Sequence, residues 1–141
     1  METMKSEKRR FKATKPEKFS ASEHNEQVAL FNWFQICHTD IAHLLMAIPN
    51  GGWRNKITGY RLKQEGVRPG VPDLFLAVPK SPYAGLWIEM KRKFGGRVTT
   101  YQQNMIHALR RAGYAAEVCQ GWEAARDAIE NYLNPKEAKN A

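Results

Sequence analysis

The sequence predicts an α/β domain in which a mixed sheet of about four strands is flanked by helices. Three observations carry that reading. Helical patterns and short apolar runs follow one another as helix, strand, helix, two strands, helix, strand, helix. The two middle strands are joined only by a proline-punctuated turn, which fits an antiparallel hairpin, while a helix separates the last two strands. The chain has 141 residues, 43% of them apolar and four of them Trp, which suffices for one core and leaves no room for a second domain.

The elements follow in order. Ser20 or Ser22 opens the first helix, and Ser20 with Glu23 has capping-box spacing. Val28, Phe31, Phe34 and Gln35 share a stripe, with Leu30, Trp33 and Cys37 beside it, so a largely buried amphipathic helix is expected to run to about His38. His43 to Ile48 reads as a strand that ends at Pro49-Asn50-Gly51-Gly52. A polar, basic helix covers Asn55 to Gln64, and Gly66 stops it. Val67 to Pro72 is extended, because the residue before a proline is driven out of the helical region.

Asp73 to Val78 is the second strand, Pro79 to Tyr83 a turn, and Gly85 to Lys91 the third strand. After a glycine-rich turn over 93–97, Thr99 or Thr100 caps a helix with Met105, Ile106 and Leu109 inward, ended by Gly113. Ala115 to Cys119 is the fourth strand. Trp122 to Leu133 is the last helix, with Ala125, Ala128, Ile129 and Leu133 inward, and Pro135 stops it. The domain therefore spans 20–134, between a flexible basic arm (1–19) and a frayed tail (135–141).

Net charge is +8, and residues 1–19 supply +4 of it, with seven Lys or Arg against three Glu. Such an excess suits a partner made of phosphates, and the arm could track a phosphate backbone without reading sequence. No run approaches the length of a membrane span and no apolar signal core opens the chain, so a soluble cytoplasmic protein with no membrane partner is expected. Cys37 and Cys119 lack the close pairing of a metal knuckle or redox motif and are expected to be reduced core thiols. His24, His38, His43 and His107 show no metal spacing and read as structural.

The chemistry concentrates in residues 72–91. Side chains two apart on a strand share a face, so Glu89 and Lys91 point the same way, with Trp87 beside them and Ile88 and Met90 opposite. Asp73 begins the neighbouring strand and can approach Glu89. Two carboxylates and the backbone carbonyl of Met90 suit a hard cation, Mg²⁺ or Mn²⁺. Such an ion lowers the pKa of a water and clamps a scissile phosphate. Lys91 could orient or deprotonate that water, or stabilise charge on the phosphate. A plain Glu–Lys ion pair on a hairpin is the simpler reading. The Val71-Pro72-Asp73 lead-in in a basic chain favours the catalytic one.

These motifs resemble the VRR-NUC family, a branch of the PD-(D/E)-x-K nuclease superfamily. The resemblance runs from about Glu23 to Leu133. It rests on Pro49-Asn50-Gly51-Gly52, the run from Gly66 to Leu74, Ile88-Glu89-Met90-Lys91, Gln102, and Ala112-Gly113-Tyr114. Val67-Arg68-Pro69 departs from the Val-Arg-Arg run that names the family, which touches the DNA contact of that loop rather than the catalytic set. The resemblance implies a restriction-endonuclease-like core and metal-dependent cleavage of DNA. It also implies action as a homodimer on branched DNA in the manner of Holliday-junction resolvases, in a bacterial or phage-infected cell. It calls for an acidic residue in the first helix shortly before a glutamine. Glu23 and Glu26 both precede Gln27, and both stand as candidates. Gln102 fits the family's helix glutamine, placed beside the lysine, while Gln103 points about 100° away.

Arg54, Lys56, Arg61, Lys63 and Arg68 flank the site in sequence and are candidate phosphate contacts, against the alternative of an ordinary solvated face. Gly51 and Gly52 either make a tight turn or let a DNA backbone approach. Trp53 could wedge at a branch point or simply anchor the fold, and Trp33, Trp87 and Trp122 read as core. A non-cleaving module that binds branched nucleic acid is the alternative to a nuclease. The intact set Asp73, Glu89 and Lys91 argues against it.

Overall fold

The computed structural model describes residues 21–49 and 56–136. Ser20, the 1–19 arm, Asn50, Gly51, Gly52, Trp53, Arg54 and residues 137–141 lie outside the described residues. The elements are α1 (Glu23–Cys37), a 3-10 helix (Thr39–Leu44), β1 (Leu45–Ala47), α2 (Lys56–Gln64), β2 (Leu74–Leu76), β3 (Leu86–Lys91), α3 (Thr100–Arg111), β4 (Ala115–Gln120) and α4 (Trp122–Leu133). The sheet order is β1-β2-β3-β4. β1, β2 and β3 pair antiparallel, and β4 runs parallel to β3 after the α3 crossover. This is the mixed four-stranded α/β sheet the sequence predicts.

Alternation along β3 separates two layers. Leu86, Ile88 and Met90 join the main core with Leu30, Phe34, Ile129 and Leu133, which places α1 and α4 on that face. Glu89 faces the other way, where α3 lies and Gln102 reaches it. Phe75 and Trp87 stack at 4.4 Å on adjacent strands. Trp33, Trp87 and Trp122 are half-buried rather than fully buried, and Trp33 and Trp122 pack against the main core.

Several expected boundaries move for identifiable reasons. Ser22 is the N-cap of α1 and its hydroxyl accepts from Asn25 N at 3.2 Å, so Glu23 is the first helical residue and not the far end of a capping box. The buried stripe of α1 is Glu26, Leu30 and Phe34, a four-residue spacing that needs only a narrow face against α4. Val28 and Ile36 are exposed, so the helix is less buried than its composition suggests. His43 and Leu44 close a 3-10 helix and do not begin β1, because the chain must reverse after α1. β2 stops at Leu76, although Ala77 N still bonds Leu44 O, and the Val78 carbonyl turns to accept Tyr132 Oη at 2.6 Å. Cys119 is a buried thiol with its pKa pushed up to about 12 by burial, whereas Cys37 is exposed at the end of α1 and is no core thiol. His38 bridges α1 to Glu130 of α4 at 2.7 Å, a structural role.

No helix among the described residues is long and apolar enough to cross a membrane.

Candidate active site

The site is built at one end of the β2–β3 hairpin. The register pairs Leu74 with Ile88, so one step further Asp73 stands opposite Glu89. Asp73 Oδ2 accepts the Met90 amide at 2.8 Å. The N–H and C=O of one strand residue point to the same side, so the Met90 carbonyl also faces the Asp73 edge. The Lys91 carbonyl faces the other side, where it accepts Gly121 N at 2.9 Å.

Glu89 is 3% exposed and Lys91 7%. Glu89 Oε1 accepts from Gln102 Nε2 at 2.6 Å and pairs with Lys91 Nζ at 3.3 Å. The simple ion pair weighed from sequence is thus present, but it is buried and shared with α3. Glu89 Oε2 is buried and has no hydrogen-bond partner. An orphaned carboxylate oxygen in a native core calls for an explanation. Burial first, and then the charge of Asp73, push the Glu89 carboxyl up to about 7. Asp73 is raised too, mainly by burial, against the lowering effect of the Met90 amide.

Glu23 lies within electrostatic reach of this pair and raises both carboxyls. Glu26, the other candidate on α1, is turned away to a different partner: its Oε2 accepts Trp122 N at 2.6 Å. Among the described residues, no three Asp, Glu, His or Cys side chains gather into a ready metal cluster. The groups that could hold a divalent cation are therefore Asp73, Glu89 and the Met90 carbonyl, with Glu23 at the margin. The fit is chemical. Half-buried Asp73 raises the carboxyl of buried Glu89, and Glu89 Oε2 lacks a hydrogen-bond partner, an arrangement that a hard cation satisfies.

Gln102 has two tasks. Its amide N bonds Thr99 Oγ1 at 3.2 Å and its Oε1 accepts Thr99 N at 2.9 Å, which completes a capping box at α3. Its Nε2 is then the donor that reaches Glu89. The residue named from sequence as lying beside the lysine therefore acts on the glutamate.

Two glycines support the set: Gly70, which the sequence placed in an extended run but which turns the chain, and Gly96 of the glycine-rich turn. Gly70 has φ +82°, and a Cβ there would lie 2.3 Å from the Tyr101 carbonyl oxygen. The loop before Asp73 thus packs directly on the first turn of α3. Gly96 lets the following loop fold over Lys91, where a Cβ would meet Lys91 Cβ at 2.9 Å.

Of the candidate phosphate contacts, Arg61 and Lys63 are exposed on α2 and Arg68 is exposed in the loop leading to Asp73. Lys56 opens α2. Arg54, Gly51 and Gly52 lie outside the described residues.

A mixed sheet with helices on both faces, and an acidic pair beside a lysine on its central hairpin, define a nuclease-like α/β core. Comparison with known proteins agrees. The family model of the VRR-NUC domain matches residues 8–123. A solved structure described as a VRR_NUC domain protein superposes with a TM-score of 0.72 at 24% identity, covering 82% of this chain and 90% of that one. No curated protein matches. The chain belongs to the VRR-NUC domain family, a nuclease-type family within the PD-(D/E)-x-K superfamily.

Proposed function

We propose that this protein is a divalent-metal-dependent DNA endonuclease that hydrolyses phosphodiester bonds. The observation that carries the reading is Glu89, a buried carboxylate with one unpartnered oxygen, set opposite Asp73 and beside Lys91. Asp73, Glu89 and the Met90 carbonyl would hold Mg²⁺ or Mn²⁺, with Glu23 completing the set. When bound, such an ion supplies a water of lowered pKa and a clamp on the scissile phosphate.

The chain's own residues do the rest. The Met90 amide fixes Asp73, and Gln102 fixes Glu89, so both carboxylates are oriented before substrate arrives. Lys91 presents Nζ from the same face and meets the negative charge that develops on the phosphate oxygens. Exposed Arg61, Lys63 and Arg68 contribute phosphate contacts, and the overall charge of +8 favours a DNA partner.

Branched DNA as the preferred substrate, and action as a homodimer, rest on the resemblance to small stand-alone members of the family. They belong to the same proposal. The test is cleavage of labelled duplex, flap, splayed-arm and four-way DNA with Mg²⁺ or Mn²⁺. Wild type should cut the branched forms best, and EDTA should stop it. Asp73→Ala and Lys91→Ala should each lose at least about 100-fold. Equal cutting by both variants would refute the site. Metal-independent binding with no cleavage would leave a branched-DNA-binding module instead. Mass in solution tests the dimer.

A further inference from the structure

We propose that Glu26 is a positioning residue that caps α4 from outside that helix and so ties the first helix to the end of the catalytic strand. The inference rests on the nuclease reading above. It begins with a missing cap. Gly121 occupies the N-cap of α4 with φ +87°, a conformation that a serine, threonine or aspartate would enter only with strain. No side chain of that residue can therefore satisfy the first amides of α4.

Glu26 does so from α1. Glu26 is 6% exposed, and its Oε2 accepts Trp122 N at 2.6 Å, a charge-assisted bond between residues 96 apart in sequence. A Cβ on Gly121 would find only ordinary contacts, with Glu123 Oε2 at 3.4 Å, Lys93 Cβ at 3.5 Å and Glu26 Oε2 at 3.7 Å, so it is the positive φ and not lack of space that calls for glycine. The position also complements the helix dipole.

The same corner is fixed on its other side. Gly121 N donates to the Lys91 carbonyl at 2.9 Å. Successive amides at 121 and 122 thus hold Lys91 and Glu26. Glu26 lies one turn from Glu23, which already acts electrostatically on Asp73 and Glu89. Two of the groups on which catalysis depends, Glu23 on α1 and Lys91 on β3, are referenced to each other through this corner. Glu26 itself spends its Oε2 on a backbone amide.

The two acidic residues of α1 should therefore answer oppositely to the same amide replacement. Glutamine at 26 keeps a carbonyl oxygen for Trp122 N and loses only charge. Glutamine at 23 loses the charge that a cation needs. The experiment compares Glu26→Gln, Glu26→Ala and Glu23→Gln for Mn²⁺ affinity by calorimetry, kcat and KM on a cleavable DNA, and melting temperature. We expect Glu26→Gln to stay within about threefold of wild type in Mn²⁺ affinity and kcat. Glu26→Ala should lose about 10- to 100-fold in kcat, with KM nearly unchanged. Glu23→Gln should lose Mn²⁺ affinity with little change in melting.

Loss of Mn²⁺ affinity in Glu26→Gln matching that in Glu23→Gln would overturn the proposal, because Glu26 would then be a ligand. Wild-type kcat in folded Glu26→Ala would overturn it too. If Glu26→Ala does not fold, the two glutamine variants still decide. If wild type cuts no DNA, the nuclease reading fails separately. The brace then stands or falls on whether Glu26→Ala, and not Glu26→Gln, lowers the melting temperature.

Discussion

At the scale of single residues, the paired carboxylates of Asp73 and Glu89 are held in a state that costs stability once they ionise. Glu89 is raised from its ordinary value near 4.5 to about 7, and Asp73 is raised as well, each mainly through burial. A carboxyl raised on folding binds more protons in the native than in the unfolded chain, so its contribution favours folding at low pH. That contribution is complete below about 4.5 and is lost as pH rises through 7. The metal-free protein should therefore lose melting temperature from pH 5 to pH 8 on account of this pair. Glu89→Gln should flatten that slope and melt a few degrees higher than wild type at pH 8 in EDTA, the shift expected of about 1 kcal/mol in a domain of this size. Melting curves across that range check it, and a Glu89→Gln protein less stable than wild type at pH 8 would contradict it. Mn²⁺ should compete with these protons, so its affinity should fall as pH drops below 7. The residues concerned were readable in the sequence, because strand alternation alone puts Glu89 and Lys91 on one face. The partner of Glu26 was not, since it depends on a positive φ at Gly121 and on a contact 96 residues away.

At the scale of elements, the site depends on a loop pressed against a helix start. Gly70 touches the backbone of Tyr101 and Gln102, and Gln102 holds Glu89. Gly70→Ala should cost at least the strain of a left-handed residue, about 1–3 kcal/mol. It should also displace the first turn of α3 and lower cleavage about 10- to 100-fold. Gly66→Ala is the control. Its φ is +96° but nothing lies within 4 Å of the added carbon, so it should cost only the strain, about 1–2 kcal/mol, and leave cleavage near wild type. Urea denaturation and turnover of the two variants separate these effects. Equal losses of activity would mean that contact with α3 is irrelevant. The order of elements was legible throughout, and the capping threonine lay in the expected pair. The ends of β1 and β2 were not, because the 3-10 helix before β1 and the Tyr132 bond to Val78 are set by neighbours distant in sequence. The stripe of α1 was misplaced for a related reason. Its period allowed several faces, and α4 selected the one with Glu26, Leu30 and Phe34.

At the scale of the whole molecule, charge decides how the domain meets DNA, and composition alone carries that information. The chain bears +8, half of it in residues 1–19. Basic side chains that neutralise phosphates release counterions, so affinity falls with salt with a slope of about 0.9 per contact on duplex DNA. If all seven basic residues of the segment touch phosphate, removing residues 1–19 should reduce the slope of log K against log salt by about 6. Contact by only some of them gives a proportionately smaller change. The β2–β3 hairpin proposed to carry the chemistry lies far along the chain, so kcat at saturating DNA should be nearly unchanged, and the loss should appear in KM. Titrations of full-length and truncated protein on a four-way DNA in Ca²⁺, over a series of salt concentrations, measure the slope, and turnover in Mg²⁺ measures kcat. An unchanged slope would show that the segment makes no phosphate contact and that affinity comes from the cations of the folded domain, Arg61, Lys63 and Arg68 among them. A fall in kcat with the slope unchanged would instead tie the segment to the folded domain.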